Sequence, residues 1–218
     1  MPLCSDYSAY IFDCDGVIFD SNDLKIKAMK SALEEQFSES SLIESCISYF
    51  SENFGMSRFH HISYFLDEIF DIDSSLKLEI EKKILNSFSL RVKHLYHSAD
   101  LTPGFMQFLN NCNGRKYVAS GSEQKELRTV FNERKIDHYF DGIFGSPTPK
   151  SDLINFILKK DCSKDIVMIG DAESDMLAAQ KNDIDFVFYS PYSNVKTRMN
   201  DYCRLYKYKI IYDFKLEV

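Results

Sequence analysis

The sequence predicts an α/β protein: a Rossmann-like parallel sheet with an inserted small α-helical cap domain. After residue 102, short apolar strands alternate with helices, which is typical of a parallel sheet covered by helices on both faces. Between residues 20 and 102 the apolar residues recur with helical spacing, and no convincing strand occurs. The helical block is therefore expected to interrupt the chain after its first strand.

The first strand is predicted at residues 9–12, and the helical block at 22–98. Four helices are predicted within this block, at 24–37, 41–50, 57–70 and 74–97. Asn22 or Asp23 is the expected N-cap of the first helix. Residues 1–21 and 99–218 then form the Rossmann-like core, with the block as a lid over the sheet edge.

The second part of the chain is predicted to alternate regularly between helix and strand. Helices are expected at 104–112, 123–134, 151–160 and 173–182, and strands at 115–120, 142–145, 165–169 and 185–189. The ending KIIYDF (209–214) predicts one more short strand. The stretch RLYKYKIIY (204–212) mixes basic and aromatic residues, and an edge strand with solvent-facing Lys and Arg explains it better than contact with RNA.

Composition excludes several classes of protein. The chain has 218 residues, of which 44% are hydrophobic, and a formal net charge of −7. An acidic chain is not suited to bind nucleic acid, and no apolar run approaches the roughly 18 residues of a membrane span. No signal peptide is visible at the N-terminus. The six cysteines are scattered and form no CxxC pair, which indicates reduced thiols and a cytoplasmic protein.

Polar residues follow the predicted strands at their carboxyl ends, where open parallel sheets bind ligands. These residues are Asp13 and Asp15 after the first strand, Ser120, Gly121 and Ser122 after the second, Lys150 after the third, and Asp171, Glu173 and Asp175 after the fourth. A turn, a helix cap or a solvated lysine would explain each of them alone. Their occurrence after four successive strands favours a shared site, since clustered carboxylates are otherwise costly.

These motifs resemble those of the haloacid dehalogenase superfamily of phosphotransferases. The matching features are D-x-D-G-V at 13–17, Ser120 at the end of a strand, Lys150 downstream, and G-D-x-x-x-D at 170–175. The helical block resembles the small cap of the phosphoglycolate phosphatase and β-phosphoglucomutase-like members. The resemblance covers nearly the whole chain and implies a phosphatase that acts on a small phosphate ester, of the phosphoglycolate or sugar phosphate type.

The resemblance also implies a reaction through two carboxylates. Asp13 is expected to be the nucleophile that forms an aspartyl-phosphate. Asp15 is expected to protonate the leaving alcohol and then to activate water. Dehalogenases of the superfamily lack this second Asp, and phosphonate-cleaving relatives have a small residue there, so Asp15 disfavours both activities.

Metal and phosphate ligands follow from the same resemblance. Mg²⁺ is expected to bind Asp13, the backbone carbonyl of Asp15 and Asp171, with Asp175 as a direct ligand or a support close by. The remaining motif residues are expected to act on the phosphoryl group. Ser120 and the N–H of Gly121 would bind its oxygens, and Lys150 would stabilise its developing charge.

Substrate contacts are harder to assign. Arg58, in the stretch FGMSRFHH (54–61), resembles the cap-loop arginine of sugar-phosphate mutases, which binds the non-reacting end of the substrate; the alternative is a surface arginine at a helix start. His60 and His61 fit a cap surface or a substrate contact better than a metal site. Ser122 and Gln124 either contact the substrate or cap helix 123–134.

Two other functions remain open. A β-phosphoglucomutase-like enzyme would have a His after the first motif, where this chain has Lys25, and a cap lysine that is absent near Ser87. Both departures favour hydrolysis. A non-catalytic binding module on the same fold is disfavoured, since every expected catalytic position is intact. The partner is then a small molecule rather than nucleic acid or a membrane, and the protein a monomer or homodimer.

Overall fold

A computed structural model describes residues 7–161, 163 and 165–215 of the chain. Within these residues, six parallel strands form one sheet. The strands are β1 (Ala9–Phe12), β2 (Arg115–Glu123), β3 (Gly142–Ser146), β4 (Ile166–Gly170), β5 (Asp185–Tyr189) and β6 (Lys209–Ile211). Their order in the sheet is β3-β2-β1-β4-β5-β6. The predicted α/β class is confirmed.

The helices fall into two groups along the chain. Between β1 and β2 lie α1 (Asn22–Glu34), α2 (Ser40–Glu52), α3 (Arg58–Tyr64), α4 (Ser74–Ser98) and α5 (Phe105–Asn111), with a π-helical turn at Phe65–Ile69. Between and after the later strands lie α6 (Gln124–Glu133), a short 3-10 turn (Asp137–Tyr139), α7 (Lys150–Lys160), α8 (Glu173–Lys181) and α9 (Lys196–Tyr206). Among the described residues, no helix combines the length and the apolar character needed to cross a lipid bilayer.

Strand β1 lies in the middle of the sheet, and all four of its residues are fully buried. Side chains of a strand alternate between the two faces of the sheet. Tyr10 and Phe12 therefore belong to one apolar cluster, and Ala9 and Ile11 to the cluster on the other face. In register, Phe12 lies beside Val118 of β2 and Ile169 of β4 on either side. This central position fixes the residues that follow β1.

The helical block, helices α1–α4, leaves the sheet and returns to it at adjacent points. The N–H of Asp20 donates to Asp100 O, and the N–H of Thr102 donates to Ile18 O. Buried side chains of the block, such as Phe50 and Phe88, share an apolar cluster with the face of β1 that carries Phe12. Burial of this shared surface is what holds the block against the sheet.

Several element predictions need correction. The N-cap of α1 is Ser21 rather than Asn22 or Asp23, and the Ser21 hydroxyl makes no cap but donates to Asp15 instead. The predicted helix 57–70 changes to π-helical geometry at Phe65. Residues 204–206 end α9, which the sequence did not predict, and the edge strand covers only 209–211. Only Met199 and Cys203 of α9 are buried, so the helix offers few apolar residues by which to recognise it.

The thiols of Cys14, Cys46 and Cys203 are buried and not in disulfides. This state agrees with the predicted reduced cysteines. Cys4 and Cys162 lie outside the described residues.

Candidate active site

The carboxyl ends of β1, β2 and β4 meet at one edge of the sheet and bring the predicted polar residues together. Asp13 and Asp171 directly follow β1 and β4, and Ser120 lies within β2, three residues before the strand ends at Glu123. Lys150 is the first residue of α7, and Asp175 lies in the first turn of α8. All five side chains are buried. The structure therefore brings these residues, which come from different strands and helices, together in one place.

The side chains of Asp13, Asp171 and Asp175 form a carboxylate cluster, in which one oxygen of each lies within 4.8 Å of the others. Lys150 Nζ donates a hydrogen bond to Asp175 and lies 3.0 Å from Asp13 Oδ1. Asn22 Nδ2 donates to Asp171 Oδ2 at 2.7 Å. Three carboxylates therefore face one ammonium group, which leaves the cluster with excess negative charge.

Burial and this excess charge shift the pKa values of the groups in the cluster. Burial raises the pKa of Asp13 to about 7, with help from Asp175 and Asp15 and against the opposing effect of Lys150. Burial, Asp13 and Asp175 also raise the pKa of Asp171 well above its usual value. Burial lowers the pKa of Lys150, but Asp13 and Asp175 outweigh it, so that the net shift is upward. Lys150 is therefore a cation, and the described part of the chain supplies no second cation to the three carboxylates.

The donor chemistry of the cluster fits a hard divalent cation. Oxygen ligands, carboxylates above all, are what Mg²⁺ and Ca²⁺ prefer. Asp171 Oδ1 is buried and has no hydrogen-bond partner among the described residues, so it is available as a ligand. Gly16 makes the close approach possible: its φ is +73°, and a Cβ there would lie 2.3 Å from Asp171 Oδ2.

Asp15 lies in a different environment, which we call the Asp15 network. Lys25 Nζ and the Ser122 hydroxyl donate to Asp15 Oδ2 at 2.6 and 2.9 Å. The hydroxyls of Ser21 and Tyr96 donate to Asp15 Oδ1 at 2.6 and 2.9 Å. Burial would raise the pKa of Asp15, but Lys25 and its hydrogen bond, then Ser21 and Tyr96, lower it. Asp15 is thus an anion with its own cation.

The Asp15 network contains residues that the sequence did not single out for this role. Lys25 comes from α1 and Tyr96 from α4, so both reach Asp15 from the helical block. Neither belongs to a motif, and only the fold brings them within reach. Ser122 was expected to contact the substrate or to cap helix 123–134. Its hydroxyl is held by Asp15, Lys25 and Tyr96 instead, and the N-cap of α6 is Glu123.

Residues 120–122, in the last part of β2, lie directly under the helical block. Ser120 Oγ accepts a hydrogen bond from the N–H of Ser122 at 3.1 Å. Gly121 touches the block so closely that a Cβ there would lie 2.4 Å from the carbonyl oxygen of Gly55. A glycine is therefore needed where the block packs against this part of β2.

Arg58 is not a surface arginine. Its guanidinium donates to both carboxylate oxygens of Glu126 in α6, at 2.8 and 2.6 Å, and to Ser89 Oγ at 2.6 Å. It also lies over the ring of Phe88, 5.0 Å from the centroid. The Arg58–Glu126 pair was not predicted, because Glu126 has no sequence feature that distinguishes it from other helix glutamates.

A small cavity of about 30 Å³ separates the sheet edge from the helical block. It is lined from the sheet side by Asp13, Asp15 and 120–122, and from the block by Lys25, Phe50, 54–56, Arg58, His61 and Phe88. Such a volume has room for about two water molecules. His61 is buried, and burial, then His60 and Lys25, lower its pKa to about 3, so its ring is neutral at pH 7. Neither histidine belongs to the carboxylate cluster.

Comparison with known proteins agrees with this arrangement. The model of the haloacid dehalogenase-like hydrolase family matches residues 10–189. The chain therefore belongs to the haloacid dehalogenase-like hydrolase family, as its motifs predicted. Among curated proteins, the chain has no match.

Solved structures show the same fold at low sequence identity. A predicted phosphatase from Clostridium acetobutylicum is 19% identical and has a TM-score of 0.70, with 94% of each chain covered. A predicted phosphoglycolate phosphatase from Haemophilus somnus 129pt is 17% identical, with a TM-score of 0.70 and 96% of each chain covered. A haloacid dehalogenase-like family protein from Streptococcus pneumoniae gives the same values. At these identities the likeness extends to the fold alone.

Proposed function

We propose that this protein is a Mg²⁺-dependent phosphatase that hydrolyses a small phosphorylated metabolite, of the phosphoglycolate or sugar phosphate type, through an aspartyl-phosphate on Asp13. The observation that carries the proposal is the position of Asp13. Its carboxylate lines the cavity, lies 3.0 Å from Lys150 Nζ and belongs to the same cluster as Asp171 and Asp175. Asp15 lines the same cavity two residues further along.

The reaction divides between these two aspartates. Asp13 would attack the phosphorus atom, and the bond from phosphorus to the alcohol oxygen would break as that oxygen takes a proton from Asp15. Water would then attack the phosphorus of the aspartyl-phosphate and give a proton back to Asp15. The bond from phosphorus to Asp13 would break and release inorganic phosphate. Asp15 is an anion in the closed protein, so it would take the proton that it donates from solvent while the cavity is open. Water returns a proton to it in the second step, so the cycle needs no further reactant.

Mg²⁺ would be held by the carboxylates of Asp13 and Asp171 and the backbone carbonyl of Asp15, with Asp175 as a ligand or support. When bound, the ion would offset the repulsion between Asp13 and an anionic ester. The free oxygen of Asp171 and the raised pKa values of Asp13 and Asp171 support this assignment.

The phosphoryl oxygens would be bound by Ser120 and by the N–H of Gly121, close to the start of α6, with Lys150 as the balancing cation. Ser122 would not contact the phosphoryl group but would position Asp15 through its hydrogen bond to that carboxylate. The position of Ser120 at the end of β2, beside the cavity, supports this assignment.

Residues 22–98 would act as a cap domain over a core of residues 1–21 and 99–218. A cavity of about 30 Å³ is too small for a phosphate ester, so the cap has to move outward to admit one and then close to exclude water. The adjacent exit and return of the chain at Asp20 and Asp100 support such a movement. We also propose that the protein is cytoplasmic and acts as a monomer or homodimer.

The experiment is an assay with an aryl phosphate, in MgCl₂ and in EDTA, followed by mass spectrometry of acid-quenched enzyme. Turnover that requires Mg²⁺ and a phosphoryl adduct on the peptide with Asp13 are expected. Asp13→Asn should lose both, whereas Asp23→Asn, an exposed aspartate of α1, should keep both. Full turnover by Asp13→Asn, or turnover without any adduct in rapid-quench samples, would contradict the covalent route.

A further inference from the structure

We infer that the substrate is the phosphate monoester of an uncharged alcohol, and that Glu126 sets this selectivity because it neutralises Arg58. The inference rests on the proposed phosphatase function and narrows its substrate class. It disfavours phosphoglycolate, whose leaving alcohol carries a carboxylate.

The first step is the Arg58–Glu126 pair. Its two hydrogen bonds are parallel and charge-assisted, the strongest arrangement that these side chains can form. The Arg58 side chain is 4% exposed and that of Glu126 20%, so water screens the pair little. Arg58 lines the cavity, but its charge is already balanced by a carboxylate of the core. A substrate anion would have to displace Glu126 to use it.

The second step is that the other cations around the cavity are also paired. Lys25 lines the cavity and lies 2.6 Å from Asp15. Lys150, beside Asp13 at the cavity floor, lies within ion-pair distance of Asp13 and Asp175. A bound divalent ion would serve the phosphoryl group. An additional anion on the alcohol would therefore be buried without a cation of its own, which is costly.

The third step is the surface that remains for the alcohol. Phe50, Phe54 and Phe88 line the cavity from the helical block, next to the neutral ring of His61. The rings of Phe50 and His61 have centroids 4.7 Å apart. Arg58 Nε is buried and has no hydrogen-bond partner among the described residues, so it can donate to a neutral oxygen. Aromatic surface with one donor suits an uncharged alcohol.

The location of the pair links selectivity to closure. Arg58 begins α3 in the helical block, and Glu126 lies in α6 beside the sheet. The pair therefore joins the block to the core when the block is closed. An ester that leaves the pair intact permits closure over the reacting group, whereas an ester that breaks it opposes closure.

Two esters of nearly the same size separate the possibilities, 2-hydroxyethyl phosphate and phosphoglycolate, because they differ in the charge of the alcohol. The wild-type protein with Mg²⁺ is expected to show a kcat/KM at least about tenfold higher for 2-hydroxyethyl phosphate. In Glu126→Gln, which leaves Arg58 with an unbalanced charge, this ratio is expected to fall about tenfold or to reverse. Glu133→Gln makes the same charge change in the same helix and should keep the wild-type ratio.

The results distinguish failure of the selectivity inference from failure of the phosphatase function. A wild-type ratio of one or less would overturn the inference whatever the variants do, and would leave the phosphatase function intact. An unchanged ratio in a folded Glu126→Gln would also overturn it, and circular dichroism checks the folding. Failure of the wild type to hydrolyse either ester or phenyl phosphate would contradict the proposed function, and the inference with it.

Discussion

Asp13 and Asp15 are two residues apart, yet they lie in regions of opposite electrostatic character. In the carboxylate cluster, Asp13 shares one ammonium group with two further carboxylates, and its pKa is raised to about 7. In the Asp15 network, one carboxylate has an ammonium group of its own and three hydroxyl donors, and its pKa is lowered. The first region has more carboxylates than the cations that the described residues supply, whereas in the second region the carboxylate is matched by Lys25.

The difference shows how one strand end can present two kinds of acid. Successive residues after β1 diverge, so that Asp13 meets groups from β4, α7 and α8, and Asp15 meets groups from α1 and α4. The core therefore determines the charge around the proposed nucleophile. The helical block determines the charge around the proposed acid.

The largest effect is expected when the charges of Asp15 and Asp13 are removed one at a time, in EDTA at pH 7.5. Asp15→Asn should lower the free energy of unfolding by about 3–5 kcal/mol, because it leaves Lys25 buried without a counter-charge. Asp13→Asn should raise it by about 1 kcal/mol, because a carboxylate whose folded pKa is raised destabilises the fold once it ionises. Denaturant titration measures both. Equal losses in the two variants would mean that the two environments are alike.

The next largest effect is expected from the cation of the Asp15 network. Lys25→Met should lower the free energy of unfolding by about 3 kcal/mol, since Asp15 keeps only its hydroxyl donors. The pKa of Asp15 should rise, which the pH profile of kcat reports as a displacement toward higher pH. Lys27→Met, an exposed position of the same helix, is the control and should change neither. An unaltered pH profile in Lys25→Met would show that Lys25 does not control the pKa of Asp15.

Addition of Mg²⁺ tests whether the carboxylate cluster, rather than the Asp15 network, binds the ion. At a concentration about 100 times its Kd, the ion should raise the free energy of unfolding by about 2.7 kcal/mol. The gain should disappear in Asp171→Asn. It should persist in Asp15→Asn, because Asp15 is expected to contribute its backbone carbonyl alone. Thermal unfolding with and without EDTA measures the gain, and a gain of the same size in Asp171→Asn would place the ion elsewhere.

The smallest effect concerns His61, beside the Asp15 network. The unfolded chain protonates this histidine below pH 6.5, whereas the folded protein keeps it neutral down to about pH 3. The unfolded state therefore binds more protons, and the free energy of unfolding should decrease as the pH decreases, by about 1 kcal/mol between pH 6.5 and 5.5. His61→Phe should lack this part of the loss, which denaturant titration at the two pH values measures. The exposed His60→Phe should retain it.

The sequence predicted the elements whose signals are local. Strand β1 is a run of apolar residues, and the motif residues Asp13, Lys150 and Asp171 each follow a strand or begin a helix, so their convergence follows from parallel topology alone. Helix α9 and the π-helical turn were missed, because tertiary packing rather than periodicity determines them.

The parts of the site that the sequence could not supply are those formed between the block and the core. Lys25 and Tyr96 meet Asp15 across 10 and 81 residues of chain. Arg58 and Glu126 are 68 residues apart. None of these three contacts has a local sequence pattern, and all of them depend on how the helical block packs against the core. A single sequence carries no direct signal of such contacts.

If the block opens as proposed, the two backbone hydrogen bonds that join Asp20 to Asp100 and Ile18 to Thr102 would lie at its hinge. Lys25 and Tyr96 lie a few residues beyond these hydrogen bonds, one on each connecting segment. Opening would then withdraw both donors from Asp15 together, and the carboxylate would lose its counter-ion as solvent enters. Opening would thus raise the pKa of Asp15, and the pH profile of Lys25→Met would report on this coupling.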